Sequence, residues 1–194
     1  MRSKRLWIIL LTTLGQATWA ASPAGAAAQA KTSYRFDFGS GEVAAGCIQV
    51  LPTTICDASL GYGFLDGSAI QAVDRDGSDA LTRDFCTSDK PFYFSVALPE
   101  GNYRVTVMLG DPSGESVTTV KAELRRLMLE QVRTRHGELA TRVLAVNIRT
   151  PAIAGGGEVR LKDRERTSEA WAWDDRLTLE FNGRRPCVCA MEIA

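Results

Sequence analysis

The sequence predicts an all-β fold, a sandwich or jelly roll of roughly eight to ten short strands. Two observations carry this. Between Leu98 and Glu123 the side chains alternate with period two: Tyr103, Val105, Val107 and Leu109 face one way, and Arg104, Thr106 and Met108 the other. That is the signature of a half-buried strand. Turn signals then recur at short intervals: Leu98-Pro99-Glu100-Gly101-Asn102, Gly110-Asp111-Pro112-Ser113-Gly114, Gly155-Gly156-Gly157 and Asn182-Gly183. They leave room for strands and little room for long helices.

In chain order, residues 1–30 read as a signal peptide and Ala-rich leader. Arg2, Lys4 and Arg5 precede the apolar run Leu6–Leu14, which is too short to span a bilayer, and small residues follow. Residues 31–194 are then expected to form one domain. Tyr34-Arg35-Phe36-Asp37-Phe38-Gly39 alternates as a first strand, and Gly46 to Pro52 holds a second, short one. Asp57 to Phe64 reads as a loop, and residues 66–90 as polar and turn-rich. Phe92, Phe94, Val96 and Leu98 share one face of the strand leading to the Pro99 turn. From Val120 to Val132 the periodicity leans towards helix, although Val117–Leu124 and Leu127–Thr134 also fit a strand pair. Val143 to Ile148 is apolar on both faces, as in a central strand. Leu177, Leu179 and Phe181 form a further strand, and Cys187, Cys189, Met191 and Ile193 are expected to share one face of the last.

Charge narrows the function. Lys and Arg together number 23, as do Asp and Glu. The leader takes three positive charges with it, so the exported part is mildly acidic, without a basic cluster, and nucleic acid is an unsuitable partner. A secreted or periplasmic location follows from the leader, with no membrane partner once it is cleaved. Export also makes disulfides available to Cys47, Cys56, Cys86, Cys187 and Cys189, although an odd number cannot all pair within one chain.

Catalytic patterns are sparse. Gly110-Asp111-Pro112-Ser113 superficially looks like a Gly-Asp-Ser nucleophile, but the proline displaces the serine and makes a turn. The only histidine, His136, sits in a turn sequence of its own. Asp174 and Asp175 are adjacent and would point apart along a strand. No cofactor is called for. Asp74, Asp76 and Asp79 lie in an oxygen-rich loop where a structural calcium would be at home, but the bidentate glutamate and the spacing of an EF-hand are missing. A solvated loop is the plainer expectation. For sugar binding, Trp171, Tyr62 and Phe64 offer aromatic faces and Asp174 a polar partner, whereas Trp173 is expected to pack against the core.

Several blocks together resemble a known family. They include Phe36-Asp37-Phe38-Gly39, Gly61-Tyr62-Gly63-Phe64, Leu98-Pro99-x-Gly101-Asn102-Tyr103, Leu109-Gly110-Asp111, Val146-Asn147-Ile148-Arg149-Thr150-Pro151 and Trp173-Asp174-Asp175-Arg176-Leu177. In this order they resemble the N-terminal galactose-binding-like β-sandwich of bacterial rhamnogalacturonan acetylesterases, which precedes an SGNH-type hydrolase domain. The resemblance implies strands rather than a helix over Val120–Val132. It also implies an accessory module with pectic polysaccharide or an SGNH hydrolase domain as partner. A structural or protein-interaction sandwich without sugar affinity is the alternative, and an independent esterase a third reading. The family's Gly-Asp-Ser and Asp-x-x-His have no counterpart here, so no catalytic residue is carried over. Cys47 and Cys56 stand where relatives are expected to carry tyrosines, and a disulfide between them would replace an aromatic contact.

Overall fold

The computed structural model describes residues 31–194; the leader lies outside them. Twelve strands are present among these residues: β1 (Tyr34–Phe38), β2 (Ile48–Val50), β3 (Tyr62–Phe64), β4 (Gln71–Asp74), β5 (Asp84–Thr87), β6 (Phe92–Ala97), β7 (Gly101–Gly110), β8 (Ser116–Ala122), β9 (Arg126–Thr134), β10 (Leu139–Ile148), β11 (Arg176–Arg184) and β12 (Cys187–Ile193). A single helical turn, α1 (Asp163–Arg166), and a 3₁₀ turn (Ala170–Ala172) lie between β10 and β11. The strands form two sheets. Sheet A runs β10-β7-β12-β1-β2, with β5 also pairing with β12 and β4 with β5; sheet B runs β3-β6-β11-β8-β9.

The core lies between the sheets. Sheet A contributes Phe36, Phe38, Val105, Val107, Leu109, Val146, Met191 and Ile193, and sheet B contributes Phe64, Phe92, Phe94, Val120, Leu179 and Phe181. Along β7, β8 and β11 these inward residues alternate with outward ones, which is the period read from the sequence. The turn before β7 is tied by the Tyr103 hydroxyl, which donates to Pro99 O at 2.8 Å.

The strand reading of residues 120–132 holds: β8 and β9 pair antiparallel around a tight turn in which Glu123 and Leu124 take φ of 51° and 71°. Three sequence expectations are corrected. Residues 66–90 are not all loop, because β4 and β5 pair there and dock on β12. β10 is an edge strand rather than a central one. Its inward residues are Leu144, Val146 and Ile148, while Val143 is 61% exposed on the open face. In β12, a bulge between Val188 and Ala190 switches faces. Val188, Met191 and Ile193 enter the main core, whereas Cys187 and Cys189 pack with Phe85 in a small cluster on the other side of sheet A.

Candidate functional site

The four residues singled out as ligand contacts do not assemble into one site. Phe64 points inward from β3 and is fully buried. Its ring meets Phe94 edge-on at 5.4 Å and Phe92 at 5.9 Å. Phe64 is therefore corrected from ligand contact to core, because the alternation that turns Gly63 outward turns its neighbours in. Tyr62 also faces inward, 5.1 Å from Phe36 and 6.4 Å from Tyr34, and forms a half-buried rim of the same aromatic cluster.

Trp171 and Asp174 lie on the opposite, outer face of sheet B. There the segment from the 3₁₀ turn to β11 folds back over the strands. Trp171 is 38% exposed and is the only aromatic among the large exposed apolar residues described. Its ring rests edge-on against Tyr93 of β6 at 5.6 Å. Trp173 is half-buried beneath the Arg149 guanidinium, which stands 4.2 Å from its ring centre and donates through Nε to Ala172 O. This contact holds the covering segment down and leaves Trp171 as its free aromatic face.

Below that segment runs a band of polar side chains that the sequence reading missed. Arg176 Nε donates to Ser95 Oγ at 2.9 Å, and Ser95 and Thr178 share a hydroxyl hydrogen bond at 3.1 Å. Thr178 N donates to Glu123 Oε1 at 3.0 Å, and Arg176 N to Asp174 Oδ1 at 3.2 Å. Burial raises the Glu123 carboxyl to about 7, opposed by the Thr178 N–H and reinforced by Asp174; Arg126 and Arg149 pull it down. Burial likewise raises Asp174 to about 6, against the Arg176 N–H. With Glu123 only 3% exposed, this carboxyl pair organises the face from beneath.

A pH dependence follows. The folded pKa of Glu123 lies above its ordinary value, so its contribution to stability is complete below about pH 4.5 and is lost as pH rises through about 7. Glu123→Gln keeps an acceptor for Thr178 N–H and removes the charge. Its thermal midpoint is expected to exceed that of the parent at pH 8 by the equivalent of about 2–3 kcal/mol and to match it at about pH 4. Thermal melts of both proteins across this range check the prediction, and the difference between them isolates Glu123 from the other carboxyls.

The remaining candidates have local roles. Asp74 is engaged at 2.9 and 2.8 Å by Arg83, which also reaches Asp76 at 3.1 Å. Asp79 accepts from Leu81 N and Thr82 Oγ1. Their oxygens thus point to different partners, and among the described residues no three His, Cys, Asp or Glu side chains form a metal cluster. The Cys47–Cys56 disulfide is corrected, because both are free thiols. Cys47 lies beside Thr106, Met108 and Glu192 on the outer face of sheet A, whereas the Cys56 sulfur accepts from Arg176 Nη2 at 2.6 Å on sheet B. Gly110-Asp111-Pro112-Ser113 is the β7–β8 turn, and its aspartate is wholly buried. His136 is exposed in the β9–β10 turn. A concavity of about 100 Å³ lies on the outer face of sheet A between Arg35, Leu81, Thr106, Met108 and Glu192; it has no exposed aromatic wall.

Residues 34–130 match the family described as beta-agarase/YXIM esterase-like, galactose-binding domain-like. The uncharacterized esterase YxiM of Bacillus subtilis (strain 168) is 38% identical over 88 residues, covering 43% of this chain and 23% of that protein. The crystal structure of YxiM from Bacillus subtilis superimposes with a TM-score of 0.59 at 25% identity, over 83% of this chain and 39% of that one. That of the plant receptor-like kinase FER gives 0.52 at 10% identity, over 84% of this chain and 41% of that one, and so shares the fold alone. The chain thus spans well under half the length of these relatives, and Trp171 and Asp174 lie beyond the residues that match the family. With its two sheets, antiparallel apart from the parallel β1–β2 pair, and its aromatic core, the chain belongs to the beta-agarase/YXIM esterase-like, galactose-binding domain-like family.

Proposed function

We propose that this chain is the glycan-contacting accessory sandwich of an exported carbohydrate esterase and that pectic polysaccharide, rhamnogalacturonan in particular, is its ligand. Trp171 is the observation that carries the reading: an indole held half-exposed on Tyr93, at the end of a segment pinned by Arg149 and followed by Asp174. A flat apolar ring beside carboxylate and guanidinium groups suits the C–H face and hydroxyls of a sugar. Family membership supports a carbohydrate role, and the larger size of the relatives supports a companion SGNH hydrolase domain in the whole protein. The leader supports export to the periplasm or the medium.

Affinity electrophoresis and calorimetry against rhamnogalacturonan test this. The parent is expected to be retarded by the glycan, and Trp171→Ala to bind at least about tenfold more weakly, a loss of about 1.4 kcal/mol, with an unchanged melting temperature. Failure of the parent to bind any pectic glycan would favour a structural or protein-interaction module. Acetate release by the purified chain would favour an independent esterase.

A further inference from the structure

One edge of sheet A is the ten-residue strand β10, which pairs with β7 from Leu139 to Ile148 without a shift of register. The other strands that end a sheet among the described residues are short or bent. β2 and β3 have three residues each, and β4 has four. β9, at the end of sheet B, shifts register twice against β8 and carries Gln131 at a φ of 46°. Shortness and bulges are the ordinary means of blunting a sheet edge against pairing with another chain. β10 has neither.

Alternation fixes which backbone groups of β10 are free. Arg104 N donates to Ala194 O at 2.9 Å and Arg104 O accepts from Ala194 N at 3.0 Å, so the backbone of Arg104 points to the β12 side of β7. Tyr103, Val105 and Val107 then point to β10, where Val146, Leu144 and Arg142 stand opposite them. Thr141, Val143, Ala145 and Asn147 therefore turn their N–H and C=O groups outward. Two arginines agree with this: Arg142 donates to Thr141 O at 2.9 Å, and Arg126 of β9 to Asn147 O at 3.1 Å. Between those capped ends, no other strand or loop among the described residues bonds the outward groups of Val143 and Ala145. Both side chains are exposed, Val143 by 61%.

We propose that β10 pairs antiparallel with β10 of a second copy of this chain, about a two-fold axis at Val143, so that sheet A runs on from one protomer into its partner. Val143 faces the partner's Val143, and Thr141 faces the partner's Ala145; each pair exchanges two backbone hydrogen bonds. Charge selects a second copy as the occupant. In this register Asn147 and Ile148 stand opposite the partner's Leu139 and Glu138. Among the described residues neither Arg126 nor Glu138 has an ion-pair partner within the chain. Arg126 reaches the edge at Asn147 from sheet B, and by alternation Glu138 lies on the same side of β10 as the inward Ala140 and Leu144. The two-fold thus sets each Arg126 beside the partner's Glu138, which closes two ion pairs at once. The proposal does not depend on sugar binding.

Sedimentation equilibrium and concentration-dependent amide exchange of the purified chain test this. A monomer–dimer equilibrium is expected, with exchange at the Val143 and Ala145 amides slowing as the dimer fills. Val143→Lys sets two like charges opposite each other on the axis and is expected to abolish the dimer, while the dilute monomer keeps its melting temperature because the side chain is exposed. Arg126→Glu and Glu138→Arg are each expected to weaken association at least about tenfold, and the double variant carrying both exchanges to recover it. A chain that stays monomeric at millimolar concentration would overturn the proposal and leave the edge to a strand of a different protein. A dimer that withstands Val143→Lys, or a double variant no tighter than its single parents, would overturn it equally.

Discussion

Asp111→Ala is expected to destabilise the fold by about 3–5 kcal/mol, the range for removing one partner from a buried ion pair. The carboxylate is wholly buried in the β7–β8 turn, between guanidinium groups from two other turns. Arg75, just after β4, donates from Nε and Nη2 at 3.1 and 2.8 Å, and Arg185, between β11 and β12, donates from Nη2. Ser113 N donates to Oδ1 at 2.8 Å. Both guanidinium groups stand over the Phe85 ring, at 5.8 and 5.6 Å. Alanine would free three turns at once and leave two arginines facing each other. Against burial, which raises it, the Arg75 and Arg185 hydrogen bonds hold the carboxyl at about 2. Its contribution is therefore complete above about pH 3.8 and is lost as pH falls through 2, amounting to about 2 kcal/mol by linkage. Asp111→Asn keeps an acceptor and is expected to cost roughly half as much as alanine. Urea unfolding at pH 7 and pH 3 checks both statements: a midpoint within error of the parent for Asp111→Ala would contradict them, as would a parent whose stability does not fall in acid.

Phe64→Ala is expected to cost a further about 3–5 kcal/mol, or roughly 8–15 °C in melting temperature for a domain of this size. The ring fills the space between the sheets against Phe38, Phe92 and Phe94, with centroid separations of 6.0, 5.9 and 5.4 Å. Phe64→Leu retains most of the apolar volume and loses the edge-to-face contacts, so a smaller cost of about 1–2 kcal/mol is expected. Thermal melts order the three proteins. Comparison with Trp171→Ala separates the two aromatic roles: Phe64→Ala is expected to lower the melting temperature, and Trp171→Ala to leave it in place.

Alternation alone was enough to place β1, β6, β7 and β11, because each has one face in the core and one outside. It failed where that condition fails. β4 and β5 have four residues each and exist through pairing with each other and of β5 with β12, a partner far along the chain. β10 carries apolar residues on its open face, and Val143 and Ala145 there look the same in sequence as buried ones. The β12 bulge inserts a residue into an apolar run, which residue spacing cannot reveal. The site was legible in part. Trp171 stood out as an aromatic in a polar setting, and it is exposed. Phe64, in a Gly-rich stretch, is buried because its partners Phe92 and Phe94 come from another strand. Glu123 and Asp174 become a pair only when the covering segment folds over sheet B.

The central place of β12 constrains how the chain acquires this fold. It is last in sequence, yet it lies between β1 and β7 and also pairs with β5. Until it pairs, sheet A is three separate fragments, β10–β7, β1–β2 and β4–β5, with unpaired edges. Pairing of residues so far apart in sequence makes folding slow and keeps those edges open to other chains meanwhile. The same order makes the late-arriving segment, rather than the Phe-rich first half, the place where substitutions such as Met191→Ala should most increase aggregation during refolding.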